Sequence, residues 1–510
     1  MKHATFSLLG FARLSLAVTA LGAAARADVK LPAVFSDHLV LQRDAVVPVW
    51  GWADPGETVT VSIAGQSQTA PTGADGKWVV KLAKLSAGEP TTLTVKGRNT
   101  ITIQDVLVGE VWLGSGQSNM AMAVKDAKDF EQEKVAANFP RIRMFKEESV
   151  AAETAQTVGK GVWLVCSPET VGGFSAALYF FGRELHQVLG APVGMINSSV
   201  GGTPIESWIA SEAQRASAEL KPFVALLEKD NAAITSDAAV KKYERDLATW
   251  EAGQKKARTE KQKAAKRPPN PAEVRARKGN LGGLFNGKIS PLIPYAIRGA
   301  LWYQGEANST PAKAPFYEAQ LRLLVNDWRA RWGYEFPIAW AQLPNFGGPG
   351  RDWPAVREAM LKTLALPGTG MGINIDIGEE EDIHPKNKQE IGRRLSLWAL
   401  GTVYGRNVPA TSGPLPIGHE VRAKEIVLRF NHVNGGLVAK GGVLRGFVVA
   451  GEDRQWQPAL ARIEGGTVVV SNPEVPQPVA ARYAWENFPA CNLYNGAGLP
   501  ASPFRTDEWK

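Results

Sequence analysis

Val106-Leu107-Val108-Gly109-Glu110-Val111-Trp112-Leu113, followed at once by Gly114-Ser115-Gly116-Gln117-Ser118-Asn119-Met120, decides how this chain is read. The first eight residues are nearly all apolar. A strand with that composition is buried on both faces, as in a parallel sheet covered by helices. The glycine-rich break after it ends the strand, and the residues beyond begin a helix. Ser118 is thereby placed at the carboxyl edge of a sheet, where the functional residues of open α/β sheets collect.

Similar texture continues C-terminal to it. Val193–Asn197, Gly299–Tyr303, Pro337–Gln342 and Gly372–Asp376 are further candidate strands. Between them lie helical patterns at Ala176–Leu189, Phe316–Arg331 and Lys388–Leu400. Strands alternating with helices predict a three-layer α/β/α domain with a mostly parallel sheet over 106–405. From about 211 to 280 the rhythm is interrupted by a stretch rich in Ala, Lys, Glu and Gln. It contains Pro268-Pro269-Asn270-Pro271 and reads as a helical insertion.

N-terminal to the decisive strand, residues 28–105 form short alternating runs, among them Val46–Trp50, Thr58–Ile63, Trp78–Leu82 and Thr92–Val95. Turn clusters such as Asp54-Pro55-Gly56 separate them. Period-two alternation at this spacing predicts a β-sandwich. Comparable runs return over 406–510, at Glu425–Phe430, Leu444–Val449 and Thr467–Val470, and predict a second β-rich, sandwich-like region.

The 510 residues are 44% hydrophobic and 21% charged, a globular balance. Residues 1–27 carry Lys2 and Arg13, an apolar stretch from Leu14 to Ala25, and Ala25-Arg26-Ala27. They read as a signal peptide cut before Asp28, which predicts a periplasmic or secreted protein with no membrane association after cleavage. The formal charge of +8 comes largely from Lys255–Lys278 and the leader. That basic run holds no aromatic residue, so nucleic acid is not an expected partner. Cys166 and Cys491 are the two cysteines, and their pairing is open. No Cys/His cluster has zinc spacing, so neither metal nor cofactor is expected.

Four segments carry chemistry. Ser118 follows its glycine turn. Asn197-Ser198-Ser199-Val200-Gly201-Gly202-Thr203-Pro204 offers backbone N–H groups with no side chain in the way. Trp302-Tyr303-Gln304-Gly305-Glu306-Ala307-Asn308 places an amide and a carboxylate beside a glycine. Glu381-Asp382-Ile383-His384-Pro385 sets acids against one of six histidines, and an acid beside an imidazole can hold its tautomer and stabilise its charged form. Each segment alone also reads as an ordinary polar turn.

In this order, Gly116-Gln117-Ser118-Asn119-Met120, Gly201-Gly202-Thr203, Trp302-Tyr303-Gln304-Gly305-Glu306 and Asp382-Ile383-His384-Pro385 resemble the blocks of the SGNH (GDSL-like) hydrolases. The particular likeness is to the bacterial sialate O-acetylesterase group. It extends to Leu41-Gln42-Arg43 with Val49-Trp50-Gly51, and to Cys491–Asn495 with Ser502–Thr506, leaving out only the basic insertion.

The resemblance implies a carbohydrate esterase that removes O-acetyl groups, with Ser118 as nucleophile and His384 as base. Asp382 would orient the imidazole, with Glu381 as the alternative. The oxyanion donors would be the N–H groups of Ser118 and Gly201 (or Gly202) and the side chain of Gln304. Asn119, Glu306, Arg351, Trp353 and Arg357 are the expected substrate contacts. Sialic acid is the first expected substrate and an acetylated polysaccharide such as acetylxylan the second. A catalytically silent glycan-binding protein is the reading from another class, and it has no need of Ser118, Gln304 and His384 together.

Overall fold

The structure is a computed structural model that describes residues 28–259, 265–272, 274 and 281–509. The proposed leader and much of the basic run lie outside the described residues.

The N-terminal strands are β1 (Val40–Gln42), β2 (Val47–Trp52), β3 (Thr58–Ile63), β4 (Gln66–Pro71), β5 (Lys77–Leu82) and β6 (Thr91–Lys96). Their inward residues alternate as the sequence does; Val59, Val61 and Ile63 of β3 are buried while Thr58 is exposed. β7 runs unbroken over Thr100–Gly116. Its first half pairs antiparallel with β6, and Leu107–Gly109 pair parallel with β1. Its second half is the centre of the main sheet. The step from the N-terminal β-region to the main sheet is therefore made inside one strand, across position 105/106.

The main sheet also contains β8 (Phe139–Glu147), β9 (Gly161–Cys166), β10 (Val193–Ser199), β11 (Gly299–Tyr303), β12 (Ile338–Ala341) and β13 (Thr369–Gly372). Their order is β13-β12-β11-β7-β10-β8-β9, and all pairs are parallel except β8 with β9. Side chains alternate across the sheet. Trp112, Met195, Leu301 and Ala339 pack on one face with the helices Ala176–Leu189 and Lys388–Trp398. Leu113, Ile196, Trp302 and Trp340 pack on the other with the helices Tyr317–Trp332 and Trp353–Thr363. That is the expected three-layer α/β/α arrangement.

Local chemistry sets the helix ends. Ser175 accepts from the Leu178 N–H at the start of Ala176–Leu189, and Gly190 closes it in the left-handed region at φ 65°. Asn387 caps Lys388–Trp398 in the same way, through the Glu390 N–H.

The insertion holds helices at Ser211–Ala216, Lys221–Ile234 and Asp237–Thr259. The C-terminal region is β-rich, with antiparallel pairing among Leu415–Arg422, Glu425–Asn431, Thr467–Ser471 and Leu460–Glu464.

Two expected strands are displaced. The last strand of the main sheet is Thr369–Gly372 rather than Gly372–Asp376. Asn374 turns its amide back onto the Gly372 and Gln342 carbonyls, and Asp376 pairs with Arg394, so polar side chains end the ladder early. In the C-terminal region the strand is Phe447–Ala450 rather than Leu444–Val449, because Gly446 lies at φ 91°, outside the extended region.

Cys166 is buried and Cys491 partly so, and both are free thiols. Burial raises the Cys166 thiol to about 12 and that of Cys491 to about 11. Among the described residues no helix is long and apolar enough to cross a membrane.

Candidate active site

Three strands end at one level. Gly116 of β7 is in register with Ser199 of β10 on one side and Tyr303 of β11 on the other. The loops that leave these ends must meet. A Cβ at Gly116, whose φ is 137°, would lie 2.1 Å from the Tyr303 carbonyl oxygen, so only glycine lets the turn pass β11. The Gln117 N–H donates to that carbonyl at 3.0 Å. Ser118 then opens the short helix Ser118–Ala121, and its N–H, at the first turn, has no intrahelical acceptor.

His384 arrives on the loop after β13. Its Nε2 is 2.8 Å from Ser118 Oγ, 266 residues away in the chain. With the proton on Nδ1, this nitrogen accepts from the serine hydroxyl. Asp382 holds the loop more than the ring. Its Oδ1 accepts the His384 backbone N–H at 2.9 Å and lies 3.5 Å from Nδ1. Both side chains are about two-fifths exposed, 40% and 43%. Glu381 is exposed.

Gly201 follows β10, and a Cβ there would meet Ser118 Cβ at 3.5 Å, so its backbone lies directly against the nucleophile. Gly202 is left-handed at φ 71°. Ser118, His384, Gly201, Gly202, Lys313 and Arg351 line a pocket of about 550 Å³. That is room for one acetylated sugar.

Behind the nucleophile lies a buried polar network. Asn119 is fully buried. Its Nδ2 donates to Glu306 Oε1 at 2.5 Å and to the Ile383 carbonyl at 3.0 Å, while Oδ1 accepts from Lys388 Nζ at 2.6 Å. The serine, glutamate and histidine loops are thus joined through one amide to the helix Lys388–Trp398. Burial pushes the Glu306 carboxyl above the usual carboxylate range, against the Asn119 hydrogen bond. Burial brings the Lys388 ammonium down to about 7, opposed by Glu306, Asp382 and Glu379.

Several expected roles need correction. Gln304 is fully buried and outside the pocket lining. Its Nε2 donates to Gln117 Oε1, the Thr203 carbonyl and Asn308 Oδ1 at 3.2, 3.2 and 2.7 Å. An amide committed to three protein acceptors is not an oxyanion donor in this geometry.

Trp353 is 1% exposed and packs edge-on against Phe346. Arg357 is fully buried and donates to the carbonyls of Leu343, Pro344, Glu486 and Asn487, clamping the C-terminal region to the β12 loop. Neither faces a substrate. Asn119 acts through its neighbours, and Glu306 reaches the pocket lining while its carboxylate faces Asn119. Arg351 does line the pocket, with Nη1 on the Glu306 carbonyl at 2.9 Å.

Sequence reasoning missed Lys388 and Lys313. A lysine in the first turn of a helix runs against the helix dipole, and that anomaly was the available signal for Lys388. Lys313 pairs with buried Glu206 at 2.7 Å, which is a purely tertiary contact.

The chain is similar to known carbohydrate esterases. Residues 108–257 and 287–397 match the family described as carbohydrate esterase, sialic acid-specific acetylesterase. The crystal structure of a carbohydrate acetylesterase from Xanthomonas citri superposes with a TM-score of 0.81 at 35% identity, covering 94% of this chain and 100% of that one. Sialate O-acetylesterases from Rattus norvegicus and Homo sapiens are each 27% identical over 92% of this chain, covering 92% and 91% of their own lengths.

Proposed function

The chain belongs to the sialic acid-specific acetylesterase family of carbohydrate esterases, and from that premise we propose that its pocket hydrolyses sugar O-acetyl esters through an acetyl-Ser118 intermediate. The observation that carries this reading is the 2.8 Å contact between His384 Nε2 and Ser118 Oγ at the floor of the pocket.

Ser118 Oγ attacks the acetyl carbonyl as His384 takes its proton. The carbonyl oxygen becomes an oxyanion facing the N–H groups of Ser118 and Gly201. Each such donor contributes about 3–4 kcal/mol to the transition state. Collapse expels the sugar oxygen, which takes the proton back from His384. Water, deprotonated by His384, then releases acetate from the serine.

O-acetylated sialic acid is the first substrate of this reading, after the curated relatives, and Arg351 at the pocket wall supplies a cation for a sugar carboxylate. An acetylated polysaccharide such as acetylxylan is the second. The 35% identity to the Xanthomonas citri carbohydrate acetylesterase supports a sugar acetate and does not choose between the two.

The test is hydrolysis of a chromogenic acetate ester by the purified protein. Ser118→Ala is expected to lower kcat by on the order of 10⁶-fold with the fold intact. Wild-type turnover in that variant would remove Ser118 as nucleophile. Comparing 9-O-acetylated sialic acid with acetylated xylan then ranks the substrates.

A further inference from the structure

We propose that a second cleft, next to the catalytic pocket, holds the neutral sugar chain that carries the acetylated residue, with Trp456, Trp485 and Trp509 as its stacking surface. This deepens the esterase reading and rests on it.

The cleft is a near neighbour of the chemistry. Lys313 lines the catalytic pocket and Ala314 the cleft; Arg351 lines the pocket and Asp352 the cleft. Consecutive Cα atoms are about 3.8 Å apart, so the same two chain segments border both spaces. The cleft encloses about 870 Å³, more than the catalytic pocket, and could take several sugars.

Its far wall comes from the C-terminal β-region. Trp456 and Trp509 lie with ring centroids 5.4 Å apart. The Arg482 guanidinium is 4.1 Å from the Trp456 centroid and 5.6 Å from that of Trp485. Arg505 is 5.2 Å from Trp485, and Arg454 is 5.2 Å from Trp509. Arg454, Trp509, Trp456, Arg482, Trp485 and Arg505 form one continuous ladder of ring and cation contacts, with the two rings Trp509 and Trp456 meeting directly. Its rungs are tied down: Arg482 grips Asp507 at 2.8 and 2.7 Å, and Arg505 grips Glu358 at 2.8 and 3.0 Å.

A ladder that served packing alone would be buried. All three tryptophans are only partly covered, and all three line the cleft. Rings already locked in place lose little rotamer entropy when a ligand stacks on them. The C–H face of a pyranose is the apolar surface that such rings accept, while its hydroxyls need both donors and acceptors.

The charges select a neutral chain. Lys362, Arg454, Arg482 and Arg505 are matched in number by Glu318, Asp352, Glu358 and Glu508. A polyanionic glycan or a nucleic acid would call for unopposed cations. This lining offers donors and acceptors without a net field.

The experiment measures kcat/KM on a chromogenic acetate, which needs the catalytic pocket alone, and on acetylated xylo-, manno- and gluco-oligosaccharides of increasing length. In the wild type at least one series is expected to rise with length by about tenfold, the factor that about 1.4 kcal/mol supplies. Trp456→Ala and Trp509→Ala are expected to lose that rise through KM while keeping the chromogenic rate. Trp509 is only partly covered and lies in no helix or strand, so Trp509→Ala decides the matter if Trp456→Ala fails to fold.

No length dependence in any wild-type series, or its retention in folded variants, overturns the cleft; so does a preference for a polyanionic chain of equal length. Absence of chromogenic hydrolysis in the wild type would instead overturn the esterase reading, so the two failures are distinguishable.

Discussion

The Lys388 ammonium donates to Asn119 Oδ1 at 2.6 Å, tying the helix behind the histidine loop to the residue beside the nucleophile. Lys388 is fully buried, its Nζ 5.2 Å from the Tyr303 ring centroid, and burial lowers it to about 7. Lys388→Met leaves a buried carbonyl without its donor, an expected loss of about 1–3 kcal/mol.

The same variant carries a pH signature. Between about 7 and 10.5 the unfolded chain holds a proton on this lysine that the fold has released, so this group makes wild-type stability rise with pH. Glu306, shifted upward, contributes with the opposite sign as pH rises through its own folded value. The thermal midpoint of Lys388→Met, followed over that window, should rise less with pH than that of the wild type. Parallel curves would show that the lysine keeps its charge in the fold.

Asp382→Asn is expected to be mild. Its carboxylate bonds the His384 backbone and stands 3.5 Å from the ring nitrogen in a half-exposed loop. An ion pair so placed is worth up to about 1 kcal/mol, so kcat should fall by about fivefold or less. A loss on the order of 10⁴-fold, as in a tight buried triad, would mean that the acid closes on the imidazole during turnover.

Gln304→Ala should be a stability variant. It takes the donor from three acceptors at once, at an expected cost of about 1–3 kcal/mol, while kcat changes by less than about tenfold. Unchanged stability with kcat down about 10²–10³-fold would instead return the side chain to the oxyanion hole.

Asp376→Asn tests the support of the histidine loop. Burial opposes charge on Asp376, but hydrogen bonds from Arg394 at 2.6 and 2.9 Å and from Tyr494 at 3.0 Å hold its carboxyl below the usual range. Breaking this nearly buried pair should cost about 3 kcal/mol at neutral pH. A depressed carboxyl stabilises fully above the unfolded value of about 3.9 and loses that contribution as pH falls through the lower folded value. The difference in thermal midpoint between wild type and variant should therefore be flat from neutrality to about pH 5 and shrink below about pH 4. A gap that persists into acid would locate the effect outside the carboxylate.

Where one local rule dominated, the sequence was legible. β11, apolar throughout and buried on both faces, begins and ends at the expected residues, Gly299 and Tyr303. The glycine turn at 114–116 places Ser118 at the sheet edge because a side chain at Gly116 would strike the Tyr303 carbonyl. β13 ends at Gly372 although the apolar pattern continues through Ile373 and Ile375, because Asn374 and Asp376 find partners elsewhere in the fold and close the ladder.

From its own residues the chain determined the alternating architecture, the turns that carry Ser118, Gly201 and His384, and the chemistry those residue types permit. Periodicity, burial and glycine geometry are properties of neighbours along the backbone. Only the tertiary structure decided that Gln304, Trp353 and Arg357 turn inward, that Lys388 braces Asn119, and that three tryptophans border a cleft beside the pocket. A polar or aromatic side chain settles against whichever acceptor, ring or carbonyl the rest of the fold delivers to it, and those arrive from more than a hundred residues away in the pairs Asn119–Lys388 and Arg357–Glu486.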